Sequence, residues 1–251
     1  MTKTFMARAA AVLGGLLLSF SALAATPAGG IMQSGTDLSD RASLQRGAKL
    51  FMNYCSGCHS LQHLRYSRMA EDLGLSEEEV MENLNFTGAA FGDPIMSSMP
   101  ADQAAEWFGV APPDLSLTVR SKLGGPDWVY TFLMSFYQDD SSALGWNNTW
   151  FPDVSMPNVL WELQGLQRPV MGQADPATGE PGIERLEIAV PGSQTPQEFQ
   201  RSVRDITAFL EYAAEPIALK RYSIGVWVLV FLVFFTLLTW LLKQEYWRDV
   251  K

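Results

Sequence analysis

The sequence predicts a mainly α-helical domain with long irregular loops and a small β-hairpin, followed by one C-terminal transmembrane helix. Apolar residues recur at helical spacing near both ends of the domain, over 44–51 and over 199–213. The segment 88–113 is rich in glycine, proline and small residues, which favours irregular backbone. Residues 224–242 carry no charge, and at 1.5 Å per residue they can cross a hydrocarbon core of about 30 Å.

Two helices in the first part of the domain have recognisable start signals. Ser39 or Asp40 can cap the first helix, which we expect to run through Tyr54. Ser76 followed by Glu79 has the form of a capping box and opens a second, short helix.

Two further helices are predicted in the second part of the domain. Aromatic side chains at positions 128, 132 and 136 share one face of a core helix over 128–137. The last helix begins after Thr195, with Pro196 in its first position and Glu198 completing a capping box. We expect it to pack on the first helix. Pro216 then separates it from the apolar run.

Alternating apolar residues predict the β-hairpin. They occur over 159–163 and again over 186–190, with a proline- and glycine-containing loop at 175–182 between the two runs.

Cys55-Ser56-Gly57-Cys58-His59 is the most specific motif in the chain. Two thiols three positions apart, with a histidine directly after the second, predict one covalent haem c with Cys55 and Cys58 attached to the porphyrin and His59 on the iron. A structural zinc site would need four ligands beside this motif, where His63 is the one further histidine. A thioredoxin-like pair would belong to a βαβ unit, which the sequence does not indicate. The domain is therefore predicted to be a cytochrome c-like haem domain.

The second axial ligand is expected to be a methionine, because a soft thioether favours ferrous iron. His63 follows His59 by four residues and cannot reach the opposite haem face while two cysteines hold the macrocycle. Met99 and Met156 both precede proline, and spacing alone does not separate them. Met156 is favoured because it stands in a loop that can wrap the haem.

The N-terminus has the pattern of an export signal. Lys3 and Arg8 precede an apolar run that ends in Ala22-Leu23-Ala24, which has the small-x-small form of a signal-peptidase site. An uncleaved anchor is the alternative, although the run is short for a full span. Export and the haem motif together predict a single-pass protein of a bacterial inner membrane, with a signal peptide at 1–24, a periplasmic haem c domain at 25–220, a transmembrane helix at 221–243 and a cytoplasmic tail at 244–251.

The chain is acidic, with a formal net charge of −9. This charge disfavours binding to nucleic acid or anionic lipid and favours a basic partner. Much of it follows the haem motif, at Glu71, Asp72, Glu77, Glu78, Glu79 and Glu82. The run has two interpretations, a solvated helix face or a docking surface.

Together these motifs resemble the cytochrome c1 family, the membrane-anchored haem c subunits of cytochrome bc1 complexes, from about residue 38 to the C-terminus. The haem motif itself is shared by many cytochromes. Two runs are more specific, Pro112-Pro113-Asp114-Leu115-Ser116 after Ala111 and Ala213-Ala214-Glu215-Pro216 ahead of a single span. Val119-Arg120, Gly124-Gly125-x-Asp127 and Met156-Pro157 also contribute to the resemblance.

The resemblance implies roles for particular residues. Met156 would be the sixth iron ligand, and the region around Arg120 and Lys122 would lie near the haem propionates. The chain differs from many family members, which carry arginine and tyrosine where it has Lys122 and Trp128.

The function that the resemblance implies is one-electron transfer in a respiratory ubiquinol-cytochrome c oxidoreductase. The Rieske iron-sulfur protein would donate the electron and a cytochrome c would accept it, in a dimeric membrane complex that also contains cytochrome b. The chain would make or break no substrate bond itself. The alternatives are a membrane-anchored cytochrome c subunit of another respiratory enzyme, such as a terminal oxidase, and a scaffold protein without haem that handles thiols.

Overall fold

The computed structural model of the chain describes residues 30–174 and 181–249. The predicted signal peptide at 1–24 and most of the predicted hairpin loop lie outside the described residues. The α-helices within the described ranges are α1 (Arg41–Tyr54), α2 (Tyr66–Leu73), α3 (Glu77–Asn83), α4 (Ala101–Phe108), α5 (Thr118–Ser121), α6 (Pro126–Met134), α7 (Trp161–Gln164), α8 (Pro196–Ala214) and α9 (Ala218–Tyr246).

The strands form three small antiparallel pairs within the same ranges. They are β1 (Leu61–Arg65) with β2 (Pro94–Ile95), β3 (Phe136–Gln138) with β4 (Trp146–Asn148), and β5 (Gly165–Ala174) with β6 (Pro181–Pro191). The predicted fold class, mainly helical with small sheets and one C-terminal apolar helix, is confirmed.

The crossing of α1 and α8 forms the centre of the domain. Asp40 caps α1 by accepting a hydrogen bond from the Ser43 backbone N–H, as the sequence predicts. The Phe51 ring of α1 lies 5.6 Å from the Phe209 ring of α8, centroid to centroid, and both side chains are buried. The two backbones approach so closely at Gly47 that a Cβ there would lie 2.0 Å from the carbonyl oxygen of Asp205. Glycine is therefore required at this crossing.

A buried carboxylate reinforces the same crossing. Asp205 is 3% exposed. It accepts a hydrogen bond of 2.5 Å from the Ser43 hydroxyl and one of 2.6 Å from Arg46 Nε. A buried charge is tolerated when it is paired and hydrogen-bonded in this way, so the contact links α1 to α8 without leaving an unsatisfied group.

Asp72 makes hydrogen bonds within the domain and does not belong to the exposed acidic surface. Its Oδ2 accepts hydrogen bonds from Arg68 Nε at 2.5 Å and from the buried Tyr212 hydroxyl at 3.0 Å. Burial and the Asp72 charge raise the pKa of Tyr212. Of the acidic run, the exposed members are Glu71, Glu77, Glu78, Glu79 and Glu82.

Both capping boxes are present as predicted. The Ser76 hydroxyl accepts from the Glu79 backbone N–H while the Glu79 carboxylate accepts from the Ser76 N–H, and Thr195 and Glu198 repeat the arrangement at the start of α8. These hydrogen bonds fix where α3 and α8 begin.

The segment 88–113, expected to be mostly irregular, contains only the short elements β2 and α4. Two local predictions were wrong in part. The core helix ends at Met134, so Phe136 lies in β3, although its ring still meets Phe132 edge-on at a centroid distance of 5.0 Å. Residues 159–163 do not form the first hairpin strand, because α7 begins at Trp161 and the strand starts at Gly165. The apolar spacing at 161–163 belongs to a single helical turn that buries Leu163.

The apolar run forms α9, and within the described residues one helix, Ser223–Tyr246, is long and apolar enough to cross a membrane. Pro216 stands between α8 and α9 as predicted. Glu215, just before it, contacts Arg221 in the first turn of α9 and lies 3.8 Å from Arg120 of α5. The carboxylate thus bridges the haem-motif domain and the apolar helix.

Gly47→Ala should destabilise the domain by about 3 kcal/mol, because the new methyl group collides with backbone that cannot move without separating α1 from α8. Thermal unfolding of the purified full chain in detergent measures the effect. Gly92→Ala is the matched control, since no atom lies within 4 Å of a Cβ at that position. Equal midpoints for the two variants would contradict the packing described here.

Candidate haem site

A tight turn directly after α1 brings the haem motif together. The Cys55 N–H donates to the Phe51 carbonyl at 2.8 Å, which ends the helix. The N–H groups of Cys58 and His59 then both donate to the Cys55 carbonyl, at 3.1 and 2.9 Å. Before haem is attached, burial raises the pKa of the Cys55 thiol to about 12, with a smaller contribution from Cys58. The motif thus brings two sulfur atoms and one imidazole together on a single short turn.

The His59 ring is oriented by a backbone carbonyl. Its Nδ1 lies 2.7 Å from the Pro113 oxygen. Because a carbonyl can only accept, Nδ1 must carry the proton, which leaves Nε2 with a free lone pair. Burial lowers the pKa of His59, and the Pro113 carbonyl and Asp114 partly oppose this shift. The ring is therefore held neutral in the tautomer that a metal ligand requires.

The segment that supplies this carbonyl is itself fixed by hydrogen bonds. Asp114 accepts from the Gln62 N–H through Oδ2 and from the Ser116 N–H through Oδ1, both at 2.9 Å. The Leu115 N–H donates to the Ser60 carbonyl at 2.9 Å. The run from Pro112 to Ser116 is thereby locked against the strand that follows the haem motif, which gives a physical reason for its sequence.

A cavity of about 680 Å³ opens in front of the motif. Its volume falls in the range of ligand pockets, and its wall is mostly apolar. Cys55, Cys58, His59 and Met156 all line it. Ile206 and Leu210 of α8 line the same cavity. Two thiols, an imidazole and a thioether around one apolar space are the donor set of a c-type haem, so the residues fit this cofactor.

The structure places the two candidate methionines differently. Met156 is half-buried and lines the cavity, whereas Met99 is not among the lining residues. Met99 instead follows the turn at Ser97, whose hydroxyl accepts from the Met99 N–H at 3.1 Å. The cavity therefore favours Met156 over Met99, and ligation of iron by either stays a prediction. His63 lies on β1 and also lines the cavity, and its N–H donates to the Ser116 hydroxyl at 3.1 Å.

Lys122 and Arg120, the two residues predicted to lie near the haem propionates, differ in their position relative to the cavity. Lys122 lines the cavity, and its Nζ lies 4.6 Å from the centroid of the Trp128 ring and 5.9 Å from that of Phe151. Among the described lining residues it is the one lysine or arginine. Arg120 is not a lining residue and instead faces Glu215. A role for either beside a propionate stays a prediction.

Sequence reasoning missed the cavity-wall positions contributed by distant segments. Pro113 acts through its backbone, for which residue type gives no signal. The aromatic wall at Trp128, Phe132 and Phe151 was only partly foreseen, because helical spacing identified the first two residues and Phe151 belongs to a loop. Phe132 stacks on Trp128 at a centroid distance of 5.3 Å.

The fold and the site define a c-type cytochrome with one candidate membrane-spanning helix. A family model described as the Cytochrome C1 family matches residues 32–166 and 192–250. The cytochrome c1 of Allochromatium vinosum is 52% identical over 236 residues, which cover 94% of this chain and 96% of that protein. The chain belongs to the cytochrome c1 family, and its cofactor is covalent haem c.

Two other relatives carry different names. The ammonia monooxygenase gamma subunit of Nitrosomonas europaea is 44% identical over 214 residues, which cover 85% of this chain and 86% of that protein. The cytochrome b/c1 of Bradyrhizobium diazoefficiens is 26% identical over 254 residues, which cover 84% of this chain and 34% of that protein. The family match leaves out residues 167–191, which contain most of β5 and all of β6.

Proposed function

We propose that the chain is the membrane-anchored haem c subunit of a cytochrome bc1 complex and carries single electrons in a respiratory chain. One observation supports this above the others. A single apolar cavity brings the Cys55–His59 motif together with Met156, a residue almost a hundred positions away, in a chain that ends in one apolar helix. A subunit of a terminal oxidase is not favoured, because the family match covers most of the chain.

In the proposed site, His59 binds iron through Nε2 and Met156 binds it through its sulfur, while Cys55 and Cys58 hold the macrocycle. When bound, the haem supplies a one-electron Fe(III)/Fe(II) couple. The thioether and the apolar wall both favour the less charged ferrous state, because each stabilises ferric iron less than water or a harder ligand would. The chain provides ligands, a low-dielectric wall and a docking surface. The proposed electron transfer needs no acid, base or nucleophile from the chain.

Lys122 and Arg120 have different proposed roles. Lys122 is proposed to balance propionate charge, and its position over aromatic rings in the cavity lining supports this role. Arg120 would act at longer range, because it faces Glu215 outside the lining.

The proposed topology places residues 25–220 in the periplasm and residues 244–251 in the cytoplasm, with the helix over 221–243 crossing a bacterial inner membrane. A signal peptide at 1–24 and the assembly of haem c outside the cytoplasm support this orientation. Trp227 and Trp240 lie near the two ends of the uncharged run 224–242, a position typical of residues at membrane interfaces.

The proposed partners are cytochrome b and the Rieske iron-sulfur protein in a dimeric quinol-cytochrome c oxidoreductase, with a cytochrome c as acceptor. The name of the Bradyrhizobium relative supports the association with cytochrome b. The name of the Nitrosomonas relative points to a different enzyme, so co-purification must decide between them.

The test of the proposed function is purification of the tagged full chain in mild detergent, followed by reduced-minus-oxidised spectra. We expect a haem c band with ascorbate and a haem b band that appears only with dithionite, from co-purified cytochrome b. A haem c band without haem b would contradict assembly in a bc1 complex. Absence of any haem band would contradict the interpretation of Cys55 to His59.

Met156→Leu should leave haem attached and sharply lower the midpoint potential, because leucine cannot replace the thioether that favours ferrous iron. A redox titration of the purified protein measures the shift. Met99→Leu is the matched control, since Met99 does not line the cavity, and its potential should equal that of the wild type. An unchanged potential in Met156→Leu would exclude Met156 as the ligand.

If the exposed glutamates of α3 attract a basic cytochrome c, replacing Glu77, Glu78 and Glu79 with glutamine should slow electron transfer to it about tenfold at low ionic strength. The difference should vanish at high salt because the attraction is screened. Glutamine preserves the capping box. Glu245→Gln with Asp249→Asn, beyond the far end of the apolar run, is the control. An unchanged rate of electron transfer would indicate that these glutamates form only a solvated helix face.

A further inference from the structure

The loop that carries Met156 borders the cavity on one side and is anchored to the scaffold on the other. Phe151, Asp153 and Ser155 line the cavity, and Asp153 adopts a left-handed backbone with φ of 59°. The burial changes abruptly just after the methionine, because Asn158 is only 2% exposed. A fully buried amide side chain two residues from a proposed iron ligand needs a physical reason.

Both the oxygen and the nitrogen of the Asn158 side-chain amide make a hydrogen bond. Its Oδ1 accepts from the Leu160 N–H at 3.0 Å. Because a backbone N–H can only donate, the oxygen must face Leu160, and this sets the NH₂ group toward Gln164. The Nδ2 atom donates to Gln164 Oε1 at 2.9 Å. The hydrogen bond is buried at both ends, since Gln164 is 3% exposed.

Gln164 is a fixed acceptor because it ends α7 at the base of the hairpin. Its N–H donates to the Leu160 carbonyl at 2.9 Å, and the Gln194 N–H donates to the neighbouring Leu163 carbonyl at 3.1 Å. The next residue, Gly165, packs so tightly that a Cβ there would lie 2.3 Å from the Val190 carbonyl oxygen. The acceptor is therefore held against the segment that leads into α8, a helix that contributes Ile206 and Leu210 to the cavity lining.

We propose that Asn158 and Gln164 are positioning residues that hold the Met156 sulfur at the iron. The proposal rests on the proposed role of Met156 as axial ligand. Only Pro157 separates Met156 from Asn158, and the fixed φ of proline transmits the position of Asn158 directly to the methionine backbone.

The upstream side of the loop is anchored farther from the methionine. The Asp153 N–H donates to Asn147 Oδ1 at 2.9 Å, and the Phe151 N–H donates to Asn148 Oδ1 at 3.0 Å, but two further residues separate Asp153 from Met156. Loss of the Asn158–Gln164 hydrogen bond would therefore let the methionine leave the iron while His59 stays bound. The free iron position would then accept an external ligand more readily.

The experiment measures imidazole binding to the ferric, haem-loaded full chain in detergent. The near-infrared band of the sulfur–iron bond is recorded in the same titration. Asn158→Ala and the milder Gln164→Leu should each bind imidazole about tenfold more tightly than the wild type, as expected for loss of about one buried hydrogen bond. Gln164→Glu keeps an acceptor for Asn158 and should return the affinity to within about twofold of the wild type. If Asn158→Ala fails to incorporate haem, the comparison of Gln164→Leu with Gln164→Glu decides.

Two control variants are needed. One distinguishes a positioning role from a general loss of stability, and the other tests whether Met156 is the iron ligand. Ser43→Ala removes a buried hydrogen bond to Asp205 away from the cavity, so it should lower stability without changing imidazole affinity. Met156→Leu must remove the sulfur–iron band. If the band persists in Met156→Leu, Met156 is not the ligand, and the proposed positioning role is wrong as well. If the band is lost in Met156→Leu, the imidazole affinities test the positioning role alone. Affinities of Asn158→Ala and Gln164→Leu equal to that of the wild type, or no higher than that of Ser43→Ala, would then overturn it.

Discussion

The hydrogen bond between His59 and the Pro113 carbonyl is the constraint on which the rest of the site depends. This hydrogen bond puts the imidazole proton on Nδ1 and leaves the Nε2 lone pair available to a metal, and the Cys55–His59 motif fixes the position of the ring. The rest of the proposed site is arranged around the iron position that Nε2 defines. The hydrogen bonds of the run from Pro112 to Ser116 hold the carbonyl itself, and the crossing of α1 and α8 holds the turn that carries the histidine.

The proposed second ligand, Met156, is held in a different way. His59 follows a helix whose position is fixed by Gly47 and Asp205, whereas Met156 lies in a loop that borders the cavity. Unlike His59, Met156 is not adjacent in sequence to the two cysteines of the haem motif, so its position depends on local hydrogen bonds to the scaffold. Asn158 and Gln164 supply such bonds at the base of the hairpin. Their burial places a small polar network where an apolar core would otherwise continue.

The sequence predicted those features whose signals are local. Capping residues identified the starts of α1, α3 and α8, and C-x-x-C-H identified the cofactor, because these patterns act within a few residues of each other. The first hairpin strand was misplaced because apolar alternation over 159–163 cannot distinguish a strand from a short helical turn. Helix α4 was missed because its glycine- and proline-rich surroundings outweigh its own eight residues. A contact made by a backbone carbonyl, such as that of Pro113, leaves no pattern of residue types in one sequence. The Asn158–Gln164 bond joins residues that are close in sequence, but it follows no standard capping or turn motif.

In the proposed site, His59 supplies a nitrogen ligand and Met156 a sulfur ligand to the two sides of one haem iron. X-ray absorption at the iron edge of the purified, oxidised full chain measures these neighbours. We expect one sulfur neighbour together with nitrogen from the porphyrin and from His59. A spectrum with nitrogen and oxygen neighbours alone, or with no sixth ligand, would contradict it.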